Sequence, residues 1–245
     1  DLHSFPTRRS SDLQLAISAF CNAGFALQSS NLIPYQHSLL VLHTVGALIV
    51  LGGLSPVVAF ALPAIVRRRV VPVSAQARLA LSATVVLLLG GFFFMLAFEW
   101  NDSLRGLGLV DKLHNAWFQS VTLRTAGFNS IDLTIVHPAT LTLMLLWMFV
   151  GGNPGGTAGG VKTTTISILV LSVVHAIRGQ WTLDVFGKRV PEHTRARAIV
   201  VVAIAAAMGL VALVSILLTQ NMSARLAVFE MVQLEIGRAS CRERV

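Results

Sequence analysis

Residues 139–177 read ATLTLMLLWMFVGGNPGGTAGGVKTTTISILVLSVVHAI, and this stretch decides how the chain can fold. Two apolar segments, 139–150 and 166–177, flank six glycines and one proline that fall within residues 151–160. Relative to alanine, an interior glycine costs a helix about 1 kcal/mol and a proline about 3 kcal/mol, so one continuous helix is excluded. The pattern therefore predicts two half-helices joined by a flexible loop over residues 151–163.

The rest of the chain has the composition of a membrane protein. Of its 245 residues, 54% are hydrophobic and 12% are charged, and the mean hydropathy is +0.72. This balance lies outside the usual range of soluble domains. Further apolar segments occur at 39–66, 79–98 and 198–218, and about 20 apolar residues suffice to span a bilayer. We therefore expect an all-α, multi-pass membrane protein in which one of the helices is broken.

Both ends of the chain depart from this pattern. Residues 1–13 and 235–245 are polar and basic, and a common sequencing-library adapter, read in its two directions, can encode them. We expect both tails to be adapter-derived and treat residues 14–234 as native sequence. A native basic tail that binds lipid or RNA is the alternative, and we expect no nucleic-acid partner. Because Cys241 lies in a tail, Cys21 is the only native cysteine, which excludes a disulfide framework or a Cys-based zinc site.

The basic residues orient the spans. Nine of the 14 Lys and Arg in residues 14–234 lie in the linkers 67–78 and 178–197. The positive-inside rule puts both linkers on the cytoplasmic side, so Glu99 and Asp111 fall on the outer side. In this orientation, the short segments that end in glycine motifs enter the membrane from the outside.

Two such segments end in similar motifs. Residues 113–124 are too short to span a bilayer at 1.5 Å per residue. The motifs that follow the two segments are Asn22-Ala23-Gly24-Phe25 and Thr125-Ala126-Gly127-Phe128-Asn129. Each resembles a degenerate potassium filter, TVGYG, whose backbone carbonyls replace the hydration shell of the ion. We expect re-entrant pore helices followed by filters, with potassium bound by the carbonyls of Gly24 and Gly127. Helix caps of the Schellman type are the alternative.

The glycine loop of residues 151–163 is predicted to obstruct or open the pore below these filters, and a structural kink is the alternative. A phosphate-binding loop is excluded, because Walker A requires glycine directly before lysine and Val161 stands there. We expect the lysine of the loop to reach water or a carbonyl, since an ammonium in lipid is costly. The candidate gate residues are Gly151, Gly152, Gly155, Gly156, Gly159, Gly160 and Lys162.

Arg124 directly precedes the second filter motif and needs a partner if it is buried, because an unpaired buried guanidinium is costly. We expect it to pair with backbone carbonyls or with a carboxylate. The candidate carboxylates are Glu99, Asp132 and Glu230. An exposed Arg124 in the outer vestibule is the alternative.

Three segments together resemble the TrkH and KtrB type subunits of the Trk/Ktr/HKT superfamily: SAFCNAGF (18–25), TLRTAGFNSID (122–132) and FVGGNPGGTAGGVKTTT (149–165). The resemblance implies four membrane-pore-membrane units around one pore. It also implies a homodimer in membrane lipid and a cytoplasmic nucleotide-binding regulatory subunit that acts on the loop. On this basis, residues 14–66 would end the second unit, 78–177 would form the third, and 195–234 would begin the fourth.

The predicted function is transport of potassium or sodium across a cell membrane, with the ion as ligand and no cofactor in this chain. A secondary transporter with broken helices and a midplane substrate site is the leading alternative. It would have discontinuous helices without re-entrant glycine segments before them. A membrane scaffold without transport is a further alternative. An enzyme is not expected, because the sequence has no paired carboxylates, His cluster or nucleophile with a base at plausible spacing.

Overall fold

A computed structural model of the chain describes residues 8–26, 28, 30–56, 58–60, 74–133, 135–180 and 182–219, and these residues are mostly helical. The two strands form one antiparallel hairpin. In chain order the elements are α1 (Arg8–Phe20), a 3-10 helix (Ile33–Tyr35), α2 (Leu39–Gly53), α3 (Ala75–Glu99), α4 (Leu109–Thr122), α5 (Pro138–Phe149), α6 (Thr163–Ile177), β1 (Asp184–Val185), β2 (Lys188–Arg189) and α7 (Glu192–Thr219).

Two of the described helices are long and apolar enough to cross a membrane: α3, and α7 over Glu192–Ala212. The 25 residues of α3 extend about 37 Å, which exceeds the hydrocarbon thickness of about 30 Å. Helices α2, α5 and α6 are shorter apolar helices. Many apolar side chains of α7 are exposed, among them Val200, Met208 and Leu218. Such a face suits lipid or a further helix of a larger assembly better than water.

The apolar segment 39–66 is not one continuous helix, contrary to its prediction. Helix α2 ends at Gly53, and Leu54 is extended with φ −78° and ψ 147°. Pro56 lies two residues further on and has no N–H to donate to the Gly52 carbonyl, so the ladder of α2 cannot continue through it. The carbonyls of Gly52 and Gly53 instead accept hydrogen bonds from Thr157 N at 2.9 Å and Asn153 N at 3.0 Å. The end of α2 therefore supplies backbone carbonyls that bind the glycine loop.

The predicted break between α5 and α6 is confirmed. Helix α5 ends at Phe149 and α6 begins at Thr163. The neck of the intervening loop is closed by backbone bonds from Gly151 N to the Val161 carbonyl at 2.9 Å and from Val161 N to the Phe149 carbonyl at 3.1 Å. The loop therefore leaves and returns at nearly the same point.

Helix α4 lies at the centre of the described core and packs against both α2 and α3. Phe118 and Val121 join the core cluster on the α2 side, and Ala116 joins the cluster on the α3 side. Close packing on α3 requires Gly91, because a Cβ there would overlap the Ser120 hydroxyl. Helix α4 thus holds the second filter motif, which follows its last turn, at the middle of the structure.

The described residues include only part of the two predicted tails and their boundaries with the native sequence. Helix α1 begins at Arg8, upstream of the predicted boundary at residues 13 and 14. Residues 1–7 and 220–245 lie outside the described residues, as do residues 61–73 with part of the first basic linker. The assignment of the tails to an adapter remains a prediction.

Candidate functional site: two glycine motifs and the loop beneath them

The two predicted filter motifs have the same backbone shape. Asn22 and Gly24 have φ values of +52° and +72°, and Thr125 and Gly127 have +73° and +80°. Left-handed residues therefore occupy the same alternate positions of both motifs. Thr125 is β-branched, for which a positive φ is a genuine outlier, and such strain is concentrated at functional sites. Alternating backbone handedness is a geometry in which successive carbonyls can point to one side, as a pore lined by carbonyls requires.

The alternative of simple helix caps applies to only part of each motif. After α1, Asn22 N binds the Ala19 carbonyl at 3.1 Å and Ala23 N binds the Ser18 carbonyl at 2.9 Å. These two bonds form a Schellman cap whose left-handed residue is Asn22. The cap is therefore complete before Gly24. The positive φ of Gly24 is not needed to end the helix, so capping does not explain it.

A hydroxyl from the last turn of α1 and of α4 holds the residue that follows the motif glycine. After α1, Phe25 N donates to Ser18 Oγ at 2.8 Å. After α4, Phe128 N donates to Thr122 Oγ1 at 2.9 Å, and this hydroxyl donates to the Phe128 carbonyl at 2.7 Å. The segments that carry the two motifs are therefore fixed to the helices that precede them, α1 and α4.

Asn31, which the sequence analysis did not single out, connects the two halves of the site. Asn129 N donates to Asn31 Oδ1 at 3.3 Å, and Leu32 N donates to the Asn129 carbonyl at 3.0 Å. Asn31 Nδ2 also donates to the Gly127 carbonyl at 3.4 Å. The segment after the first motif thus supports the second motif. The predicted potassium contacts of the Gly24 and Gly127 carbonyls remain predictions.

The glycine loop binds the start of both motifs directly. Thr157 Oγ1 donates to the Phe20 carbonyl at 2.9 Å and accepts from Asn22 Nδ2 at 2.9 Å. Gly159 N donates to Thr125 Oγ1 at 3.2 Å. The same loop therefore bridges the strand after α1 and the strand after α4. The sequence analysis did not predict a role for the Thr157 hydroxyl. The available signal was a polar side chain in a loop made mostly of glycine.

The loop is closely packed, which explains why it is rich in glycine. A Cβ at Gly151 would overlap the Gly159 carbonyl, and a Cβ at Gly156 would overlap the Gly53 carbonyl. Gly155 has a φ of +83°. As predicted, the lysine of the loop reaches a carbonyl: Lys162 Nζ donates to the Ala158 carbonyl at 2.8 Å.

Asn153 anchors the loop and was missed by sequence reasoning, although an Asn-Pro pair in an apolar segment was a signal. Its side chain is fully buried. Asn153 Nδ2 donates to Thr84 Oγ1 at 3.3 Å, and Asn153 Oδ1 accepts from the hydroxyl of Thr163. This buried network fixes the loop to α3 and to the start of α6.

Arg124 is buried with only 4% of its surface exposed, so the exposed alternative is wrong. Its Nε and Nη2 atoms have no hydrogen-bond partner within the described residues. It lines a small cavity together with Asn22, Gly53 and Ala158. The predicted carbonyl partners are therefore not found among the described residues.

The candidate carboxylates for Arg124 lie in different surroundings. Glu99 is fully buried, and its oxygens accept from Ser103 N and His137 N, both at 3.2 Å. It therefore ties the end of α3 to the start of α5. Asp132 is exposed, and Glu230 lies outside the described residues. The pairing with Glu99 is wrong, because Arg124 and Glu99 form no ion pair in the part of the chain that the structure describes.

Side-chain metal ligands are not concentrated in the described ranges, where no group of three or more His, Cys, Asp or Glu could hold a metal ion. The site instead consists of backbone carbonyls, amides and hydroxyls. Such neutral oxygens suit a weakly bound monovalent cation better than a tightly held transition metal.

Comparison with known proteins agrees with this geometry. A family model described as "TrkH: Cation transport protein" matches residues 13–232. The "Potassium/sodium uptake protein NtpJ" of Enterococcus hirae is 36% identical over 84% of this chain and 46% of its own length. The "Ktr system potassium uptake protein B" of Bacillus subtilis is 35% identical over 71% of this chain and 39% of its own length.

A solved structure has the same fold. It is the crystal structure of the potassium transporter TrkH from Vibrio parahaemolyticus, with a TM-score of 0.73 and 20% identity. The match covers 94% of this chain and 50% of that chain. The chain therefore spans half or less of the length of these proteins.

Proposed function

The chain belongs to the TrkH cation transport family, and on this premise we propose that it forms part of a pore that conducts potassium across a cell membrane. The observation that carries the proposal is the contact of one loop with two filter-like strands. Thr157 binds the strand after α1, and Gly159 binds the strand after α4. A segment in this position can block ions that leave the filter.

The filter part of the proposal rests on backbone shape. Alternating left-handed residues at Asn22, Gly24, Thr125 and Gly127 turn carbonyls toward one side. Carbonyl oxygens arranged in this way can replace the hydration shell of a dehydrated cation. Two further strands of the same kind would complete a four-sided filter, and these belong to the remainder of a longer protein.

The gating part of the proposal rests on the small number of hydrogen bonds between the loop and the two motif segments. A neutral hydrogen bond contributes about 0.5–1.5 kcal/mol net, so the three bonds from the loop to the strands are worth only a few kcal/mol. A partner that binds one of two loop conformations slightly more tightly than the other can therefore shift the equilibrium between them. The glycines supply the backbone freedom for this motion.

The partners belong to the proposal as well. The Bacillus subtilis relative is named as part of a Ktr system, which supports a transporter assembled from more than one kind of subunit. We assign to the parent protein a homodimer and a cytoplasmic nucleotide-binding regulatory subunit. The exposed Arg178 of the second linker offers a contact for this subunit. We propose no cofactor for this chain.

The proposal is tested with a chimera. The half of the Enterococcus hirae protein that matches this chain is replaced by residues 14–234, and potassium uptake is measured in a bacterial host that lacks its own uptake systems. We expect growth at low potassium and potassium uptake. A chimera that reaches the membrane without restoring uptake contradicts the proposal and favours a scaffold or a transporter of another substrate.

A further inference from the structure

A second site lies away from the filters, at the end of α3 and α7 that the basic linkers place on the cytoplasmic side. There a cavity of about 410 Å³ opens between α3, α6, α7 and the β1–β2 hairpin. Three of its lining side chains are cationic: Lys188 and Arg189 on β2, and Arg197 on α7. The filter and gate mechanism uses none of them.

The three cations are not neutralised by the protein around them. No carboxylate of the described residues pairs with Lys188, Arg189 or Arg197. The nearby acidic residues, Asp184 and Glu192, do not line the cavity. Asp184 faces only Arg189 across the hairpin, so the rim with its three cations keeps a net positive charge, which attracts an anion.

The remaining wall of the cavity is largely apolar. Leu79, Ile168 and Val201 line it, together with Val185. Val201 is 48% exposed and belongs to the apolar outer face of α7. The apolar wall therefore continues onto a surface suited to lipid, while the cationic rim faces the cytoplasmic side.

The hairpin has a further feature of a membrane interface. Phe186 stands at its turn with a φ of +52°, is 53% exposed, and is close in sequence to Lys188. Exposed aromatic rings beside basic side chains are typical of segments at the level of lipid headgroups. This places the cationic rim where phospholipid phosphates are found.

We propose that the cavity binds the phosphate headgroup of an anionic phospholipid of the cytoplasmic leaflet, with part of an acyl chain against Leu79, Ile168 and Val201. A basic pocket between transmembrane helices on this side suits such a headgroup. A free phosphate or an acidic protein segment would use the cationic rim and leave the apolar wall exposed. A lipid places its phosphate at the cationic rim and its acyl chain against the apolar wall.

The site is also connected to the loop. Thr164 and Thr165 line the cavity and belong to the first turn of α6, which begins where the glycine loop ends. Thr163, at the start of the same turn, binds Asn153 in the loop. A lipid in the cavity therefore contacts the helix that anchors one end of the loop.

The proposal is tested by native mass spectrometry of the full chain in detergent micelles. The chain is titrated with dioleoylphosphatidylglycerol and, separately, with zwitterionic dioleoylphosphatidylcholine. We expect preferential retention of phosphatidylglycerol. Each basic residue near a membrane surface contributes about 1 kcal/mol, or about fivefold in affinity, so the triple variant Lys188→Gln, Arg189→Gln, Arg197→Gln should lose about 100-fold.

Two further variants separate this site from general effects of charge or misfolding. The matched control changes Arg78, Arg105 and Arg178 to Gln, which removes the same charge outside the cavity and should reduce the preference far less than the cavity variant does. Val201→Phe fills the apolar wall without changing charge and should weaken retention. Elution volume and helical content confirm that each variant folds.

Three outcomes would overturn the proposal. The first is equal retention of both lipids by the unmodified chain. The second is an equal loss in the cavity variant and the matched control. The third is binding of glycerol phosphate or of a polyglutamate peptide that depends on the three cations, without a preference for phosphatidylglycerol. That result would assign the cavity to a soluble anion or an acidic protein.

Discussion

At the scale of single residues, the motif glycines are the most sensitive positions of the proposed filter. Gly127 has a φ of +80°, which an L-residue adopts only under strain, and its carbonyl is a predicted potassium ligand. We predict that Gly127→Ser in the chimera reduces the preference for potassium over sodium at least severalfold, because both the strand and its carbonyl shift. Uptake of potassium with increasing sodium as competitor measures this preference.

Gly106 provides the matched control for this change. It has a φ of +95° in the turn before α4, and a Cβ there would meet no atom within 4 Å. Gly106→Ser introduces comparable backbone strain outside the site and should leave ion preference unchanged. Equal ion preference in both variants and the unmodified chimera would refute the filter assignment of Gly127.

Glu99 supports a prediction about stability. Its buried carboxylate accepts two backbone N–H groups, and hydrogen bonds to a charged group contribute about 1.5–3 kcal/mol each. Glu99→Leu should therefore lower stability by about 3 kcal/mol or more, whereas Asp102→Leu, at an exposed neighbouring position, should change it by less than about 1 kcal/mol. Thermal unfolding followed by size-exclusion chromatography compares the two, and equal midpoints would contradict the role of Glu99.

At the scale of elements, the glycine loop is held by contacts that substitution can remove singly. Thr157→Val keeps the size of the side chain but removes its bonds to the Phe20 carbonyl and to Asn22. If the loop obstructs the pore, we expect a higher basal potassium flux in proteoliposomes of the chimera. Thr142→Val is the control, because that exposed hydroxyl bonds only within its own helix.

Deletion within Gly155–Gly160 tests the same element more severely. We expect the shortened loop to leave the space below the strands and to raise basal flux beyond that of Thr157→Val. A loss of flux in a folded protein would instead indicate a structural kink. Helical content from circular dichroism shows whether the deletion variant remains folded.

The elements also show what the sequence can predict. The break between α5 and α6 was predictable, because its glycines and proline act locally on helix stability. The break after Gly53 was not predicted, although Pro56 was a local signal for it; the distant contacts that fix its position, from the Gly52 and Gly53 carbonyls to residues 157 and 153, leave no mark in the sequence. The burial of Glu99 and the role of Asn31 were missed for the same reason. Periodicity and composition report local preferences, whereas these residues act through contacts across the chain.

At the scale of the whole molecule, orientation in the membrane connects the two proposed sites. In the orientation that we propose, the filter motifs lie towards the outer side and the basic cavity lies on the cytoplasmic side, because α3 begins beside the cavity at Ala75 and ends at Glu99 on the opposite side. The distribution of Lys and Arg predicts this orientation from sequence alone, since the energetic preference depends on charge in the linkers and not on packing.

Single cysteines test this orientation in the chimera. With Cys21 and every other cysteine replaced by serine, we predict that Asp102→Cys reacts with a membrane-impermeant maleimide added to intact cells, because this exposed residue follows the outer end of α3. Lys188→Cys, exposed on the hairpin, should react only after the cells are opened. The reverse pattern would move the lipid cavity to the outer leaflet and place the loop on the external side of the filters. Neither the gating proposal nor the lipid proposal would survive that result.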